Sequence, residues 1–197
     1  MSADHFTLDS QGSHRQRLLA AMADAIREDG LQATTVAGVV RRARTSRRTF
    51  YQHFDDLDGC YLALFDAFNE HLLNAILEAA TGEGPWPDRI DRTLGAYLGT
   101  LAAEPELTRS YVQDAGSLGE AGALHVRRII EQFARELSRL VEEASGHDPS
   151  LRPLPYDAAI VLVGGLRYLV IVAIADGRDL AELAGICGDL VRRLTLA

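Results

Sequence analysis

The sequence predicts an all-α protein of about nine helices, in which a short N-terminal three-helix unit precedes a larger helical body. Three observations predict it. Apolar residues recur at the 3.6-residue spacing of an amphipathic helix along the whole 197-residue chain, and no stretch sustains the period-two alternation of a half-buried strand. Glycine and proline cluster between the periodic segments. The chain is 47% hydrophobic over that length, enough to bury a core, which excludes a disordered tail or a disulfide-stapled miniprotein.

Leu18, Leu19, Met22 and Ile26 form one face of a first helix from His14 to Asp29, stopped by Gly30. Thr34 or Thr35 caps a short second helix, with Val36, Val39, Val40 and Ala43 as its buried face. Ser46 caps a third, whose Phe50 and Phe54 point inward at i, i+4 spacing. A long fourth helix from Leu57 to Thr81 carries the stripe Leu57, Tyr61, Leu64, Phe65, Phe68, Leu72 and Ile76, and the segment Gly82 to Pro87 ends it. Further helices fit Asp88 to Ala103, Glu106 to Asp114 and Ala121 to Ala144, punctuated by Pro105, Gly116, Gly119 and Gly122. His147 to Pro155 is a loop, and two closing helices occupy about 156–176 and 180–196.

The run Ala158 to Ala175 is 18 residues long and is interrupted only by Arg167. A membrane span is the rival reading, but the run is at the short end of the spanning range, carries a charge in its middle and has no basic flank. The expectation is a soluble helix buried on nearly all sides, between its own domain and a second subunit, with no membrane partner. Gly164 and Gly165 either admit a close neighbour or simply weaken the helix. No charged segment leads into an apolar signal region, and Cys60 and Cys187 match no metal or redox spacing. A reducing, cytoplasmic location is expected.

The formal charge of −8 argues at first against nucleic acid, which needs a cationic surface. The distribution reverses that objection. Residues 1–54 hold eight arginines against five acids, or +3, while residues 55–197 hold 12 against 23, or −11. Between Gly30 and Phe54 there is no acid at all, and Arg41, Arg42, Arg44, Arg47 and Arg48 fall within eight residues. All 20 basic residues are arginine, so every cation is a planar, permanently charged fork.

Arg44-Thr45-Ser46 joins the second and third helices by too few residues for anything but a sharp corner, the geometry of a helix-turn-helix, in which the later helix enters the major groove. At about 100° per residue, Arg47, Arg48, Tyr51 and Gln52 share one arc of about 140°, and Phe50 and Phe54 lie outside it. Those four types read guanine, thymine methyl and adenine edges. Thr35, Thr45, Ser46 and His53 lie at helix ends or flanks, where hydroxyls, imidazole and free amides suit phosphates. Arg41 reads as an ordinary solvated residue.

The stretch Thr34 to Phe65, and most densely Ser46-Arg47-Arg48-Thr49-Phe50-Tyr51-Gln52-His53-Phe54, resembles the tetracycline-repressor (TetR) family of bacterial transcriptional regulators. The resemblance implies phosphate contacts from Thr35, Ser46, Tyr51 and His53 and base or mixed contacts from Thr45, Arg47, Arg48 and Gln52. It implies a helix-turn-helix DNA-binding domain over residues 1–55 and a helical effector-binding and dimerisation domain over 56–197. Repression of a pseudo-palindromic double-stranded DNA operator is the family's default. A homodimer through the last two helices and release by a small-molecule effector complete the expectation. Two departures stand out: Arg44 occupies a turn position where family members usually have glycine, and Leu57 follows Asp55 and Asp56 where many have a lysine near the start of the fourth helix. Arg44, Arg42, Arg15 and Arg17 are candidates to replace that missing cation.

For the effector, Phe68, His71, Trp86, Tyr97, Tyr111, Phe133, Arg167 and Tyr168 are candidate lining residues, though at helical spacing each also fits plain core. Arg167 within its apolar run would meet a ligand carboxylate or an acid on a neighbouring helix. The expected effector is a lipophilic or aromatic, anionic small molecule. Two other classes compete. A helical enzyme has little support, because no glycine-rich phosphate loop, metal-ligand spacing or nucleophile elbow occurs, and Asp55, Asp56 and Asp58 read as acids at a helix N-terminus. Neither catalytic residues nor a cofactor or metal site is expected. A helical interaction module that never touches DNA would leave the acid-free arginine window unexplained.

Overall fold

The computed structural model of the chain describes residues 6–196, and among these it contains nine α-helices and no named strand. The helices are α1 (His14–Asp29), α2 (Val36–Arg42), α3 (Arg47–Tyr51), α4 (Leu57–Thr81), α5 (Trp86–Ala103), α6 (Pro105–Gln113), α7 (Gly119–Ser145), α8 (Tyr156–Ala175) and α9 (Leu183–Thr195). Their ends follow the capping chemistry. Ser13 and Gln16 form a reciprocal capping box on α1, and Gly30 closes the helix at φ 76°, with its N–H bonded to the Ile26 carbonyl. Thr35, not Thr34, caps α2. The buried Thr34 hydroxyl instead donates to the Gly30 carbonyl at 2.8 Å.

Helix starts in the body differ from expectation by a few residues. Trp86 and Pro87 lie within the first turn of α5, where a proline's missing N–H costs no helical bond, so the interruption after α4 is shorter than Gly82 to Pro87. The final expected helix begins as a 3-10 turn at Leu180–Glu182 before α9 takes over.

Two compact units can be distinguished. One comprises the described residues up to His71 together with Ala103–Ala123; the other comprises Leu72–Ala102 and the described residues from Leu124 onward. In the first, Leu18, Met22, Ile26, Val39, Phe50, Leu64, Phe65, Phe68 and Leu107 are fully or almost fully buried. Val36, expected on the buried face of α2, is only half-buried because it opens that helix. Polar ties supplement the apolar core. The Tyr61 hydroxyl donates to the Ser110 carbonyl at 3.0 Å, and Phe65 stacks on Tyr111 with centroids 5.0 Å apart. Phe6, ahead of α1, is buried edge-on against Phe68.

In the second unit, Ile90, Leu94, Leu98, Val141, Leu162, Leu183 and Val191 are core. The Trp86 indole donates to the buried Thr195 hydroxyl at 3.0 Å, and the Arg89 guanidinium lies over the same ring. Helix α8 departs from expectation. It is long and apolar enough to cross a membrane by length and composition, with a mean hydropathy of 2.3, yet the chain buries only 22% of that window. The anticipated burial on nearly all sides is therefore not achieved within one copy. Val161 is 74% exposed and Tyr168 66%, and a Cβ at Gly164 or Gly165 would meet nothing within 4 Å.

Candidate nucleic-acid interface

Helices α2 and α3 owe their shape to their caps, because seven and five residues are too few to be stable alone. The Thr35 hydroxyl accepts from the Gly38 amide at 3.1 Å. The Ser46 hydroxyl accepts from the Thr49 amide at 3.1 Å and sits 2.9 Å from the Thr49 hydroxyl. Ser46 is thus already engaged in holding the N-terminus of α3, while the residue as a whole stays exposed.

Burial on α3 separates its two faces cleanly. Phe50 is 0% exposed, whereas its neighbour Tyr51 is 56% exposed and meets Phe50 only by an edge-to-face ring contact at 5.4 Å. Arg47, Arg48, Gln52 and His53 are exposed with Tyr51, and Thr45 is half-buried. All nine residues expected to meet DNA, from Thr35 through Arg44 to His53, therefore lie on the α2–α3 segment, and eight of them are exposed.

The corner between the helices follows a tight hydrogen-bonding pattern. The Thr45 N–H bonds to the Val40 carbonyl at 3.0 Å and the Arg44 N–H to the Arg41 carbonyl at 3.3 Å. This is the Schellman arrangement, which puts the residue after the cap into the left-handed region. That residue is Arg44, at φ 49°, the one non-glycine residue with positive φ among those described.

Electrostatics sort the arginines. Arg42 is tied to Glu28 and Asp29 on α1, each at 2.7 Å, so local acids outside the acid-free window already hold it. Arg15 lies over the Phe54 ring, 5.5 Å from its centroid. Arg41, Arg44, Arg47 and Arg48 are exposed and take part in no ion pair among the described residues. At the start of α4, the Asp56 carboxylate accepts from the Gly59 amide at 2.7 Å, so the acidic run serves as a helix cap. Leu57 is half-buried and adds no cation. No group of His, Cys, Asp and Glu suited to a metal occurs among the described residues.

The candidate effector residues divide between the units: Phe68, His71 and Tyr111 in the first, Trp86, Tyr97, Phe133, Arg167 and Tyr168 in the second. Phe68, Tyr111 and Trp86 are buried; His71, Tyr97, Phe133 and Arg167 are half-buried; Tyr168 lies on the open face of α8. Phe6, which sequence reasoning missed, meets both Phe68 and His71, with centroids at 5.3 and 5.5 Å. A lone phenylalanine ahead of the first helix is the only signal that could have found it.

A third helix that is capped, half-exposed and bare of acids in this way, set after a tight corner, has the arrangement of a DNA-binding helix-turn-helix. Comparison with known proteins points the same way. Residues 18–64, which hold the helix-turn-helix, match the model for bacterial regulatory proteins of the tetR family. The fold is similar to that of the fatty acid degradation regulator FadR from Bacillus halodurans, with a TM-score of 0.76 at 16% identity, covering 91% of this chain and 95% of that one. A putative TetR-family transcriptional regulator from Syntrophomonas wolfei gives a TM-score of 0.71 at 17% identity, covering 90% and 92%. The transcriptional regulator FadR from Bacillus subtilis, solved in complex with stearoyl-CoA, gives 0.70 at 15% identity, covering 88% and 95%. No curated protein matches in sequence.

Proposed function

We propose that this chain is a ligand-responsive repressor that binds a pseudo-palindromic operator as a homodimer and is released by a lipophilic, anionic small molecule. The observation that carries the reading is the split of α3 into a wholly buried Phe50 and an exposed Arg47, Arg48, Tyr51 and Gln52 face within an acid-free segment. These side chains are of the types that read base edges. Thr35, Thr45, Ser46 and His53 flank them at positions suited to phosphates. Residues 1–55 then act as the reader and 56–197 as the regulatory body.

A twofold axis through α8 and α9 would bring two readers to successive major grooves, which requires half-sites about one helical turn apart. The open apolar faces of those helices support this arrangement, with Val161 and Tyr168 on α8 and Ile186, Leu190 and Leu194 on α9. For the effector, the stearoyl-CoA bound by the similar Bacillus subtilis regulator supports an acyl thioester. Arg167, half-buried in the apolar α8, is the residue of this chain we assign to its anionic part. The effector lowers DNA affinity only by its differential affinity for the two states.

The test is a titration of the intergenic DNA upstream of the protein's own gene at moderate salt, with and without stearoyl-CoA. The expected result is a specific complex that Arg47→Ala weakens by about 10-fold or more, as loss of a bidentate base contact costs about 1–3 kcal/mol. Stearoyl-CoA should dissociate it. Equal affinity for upstream and scrambled DNA would overturn the operator, and an unmoved complex would overturn the effector class.

A further inference from the structure

The corner between α2 and α3 holds a residue that its backbone does not favour. The Schellman pair, Thr45 N–H to the Val40 carbonyl and Arg44 N–H to the Arg41 carbonyl, forces position 44 to φ 49°. Glycine occupies such a position without penalty, while a side chain there crowds the adjacent carbonyl. Elsewhere among the described residues every positive φ falls on a glycine: Gly30, Gly84, Gly119 and Gly177. An arginine at 44 is therefore an exception to a rule that the rest of the chain keeps.

The Arg44 side chain recovers nothing within the protein. It is exposed and makes no hydrogen bond or ion pair among the described residues. Its neighbour Arg42, two residues earlier, shows the alternative, a guanidinium held by both Glu28 and Asp29. Nor does Arg44 support the corner, whose two hydrogen bonds use backbone atoms only. What the residue adds is an exposed cation in the turn, three residues ahead of the start of α3.

We propose that Arg44 is a DNA phosphate contact retained at the expense of fold stability, and that this corner trades folding free energy for sequence-independent affinity. The partner group is the backbone phosphate of double-stranded DNA, since a lone guanidinium in the turn, set off from the Arg47–Gln52 face, is placed for charge and not for base edges. The inference rests on the DNA-binding reading and adds to it a direction no ordinary contact has: replacing this residue by glycine makes the protein more stable and the complex weaker.

Three variants test it: Arg44→Gly, which relieves the backbone and removes the charge; Arg44→Ala, which removes the charge alone; and Arg44→Lys, which keeps the charge. Melting temperature, affinity for upstream and for scrambled DNA, and the slope of log affinity against log salt are read for each. Arg44→Gly should melt a few degrees higher than the parent, on the order of 2–4 °C. It should bind both DNAs several-fold more weakly, with the slope shallower by about one per reader. Arg44→Ala should share the weaker binding without the gain in melting temperature, and Arg44→Lys should keep the parental slope. A glycine variant with unchanged affinity and slope overturns the phosphate contact, as does a lysine variant with the shallower slope. A glycine variant that melts no higher than the alanine variant overturns the stability cost. Failure of the parent to bind any DNA would instead overturn the regulator reading itself, so the two failures are distinguishable.

Discussion

Cys60 lies in the first turn of α4, within the acidic cap formed by Asp56, yet none of its surface reaches solvent. Burial pushes its thiol from an ordinary value of 9.0 up to about 12, against a smaller opposing pull from the Arg15 guanidinium. The neutral thiol is the buried form, so the folded protein holds its proton where the unfolded chain releases it. Below about pH 7.5 both states are protonated and the full benefit of burial is present. As pH rises from there towards 12, the unfolded state ionises first and stability falls. Urea midpoints measured between pH 8 and 10.5 should decline, and Cys60→Ala should decline less steeply from a lower start. Maleimide labelling followed by mass spectrometry provides the second check, with Cys60 unmodified at pH 8 until denaturant is added. Labelling at the rate of an exposed thiol would show that the site opens.

At the scale of elements, what could be read in the sequence was what depends on neighbours a few residues away. The end of α1 at Gly30, the cap at Ser46 and the loop before Tyr156 are local chemistry, and the structure has them where periodicity and capping predict. The pairing of Arg42 with Glu28 and Asp29, the α4–α6 tie from Tyr61 to Ser110 and the docking of Phe6 join residues 13 to 62 positions apart, and no local pattern announces them. Arg27 is the clearest case. From the last turn of α1 it donates to the Phe6 carbonyl at 3.2 Å, to Asp24 at 3.1 Å and to Glu104 at 3.0 Å, ahead of α6. The Glu104 side chain is 7% exposed, so removing its cation costs more than a surface pair would. Arg27→Ala should therefore destabilise the protein by about 2–3 kcal/mol, less than the 3–5 kcal/mol of a fully buried pair because Arg27 itself is 33% exposed. The double variant with Glu104→Gln should recover part of that loss. Equal denaturation midpoints for parent and Arg27→Ala would show that the three contacts add nothing in solution.

For the whole molecule, two properties visible in the sequence acquire a common explanation in the proposed dimer. The charge of −8 averages a +3 N-terminal segment and a −11 remainder, and in the proposed regulator the acidic part would repel DNA and favour approach by the N-terminal segment. The apolar run that a membrane would also accept is left open on one face, where Val161, Gly164, Gly165 and Tyr168 follow one another at helical spacing. On α9, Ile186, Leu190 and Leu194 repeat at intervals of four, with Ile186 63% exposed. Periodicity alone could establish that α8 is apolar all round, but not how much of it one chain covers, because that depends on which helices pack beside it. A second copy is the partner we propose, and it demands that a charge on this face separate the subunits without unfolding either. Ile186→Asp should shift the protein to monomer in sedimentation at micromolar concentration, because a buried unpaired carboxylate at each of two related positions costs several kcal/mol, on the order of a 10³-fold rise in Kd. Circular dichroism should retain the helical signal, since the substituted side chain is exposed within one chain. Affinity for a full operator should fall towards that for a single half-site, as two independent readers lose the advantage of linkage. A dimer that persists in Ile186→Asp and in Tyr168→Asp would remove α8 and α9 as the interface, while monomers that keep full operator affinity would break the link between the twofold axis and the spacing of the two readers.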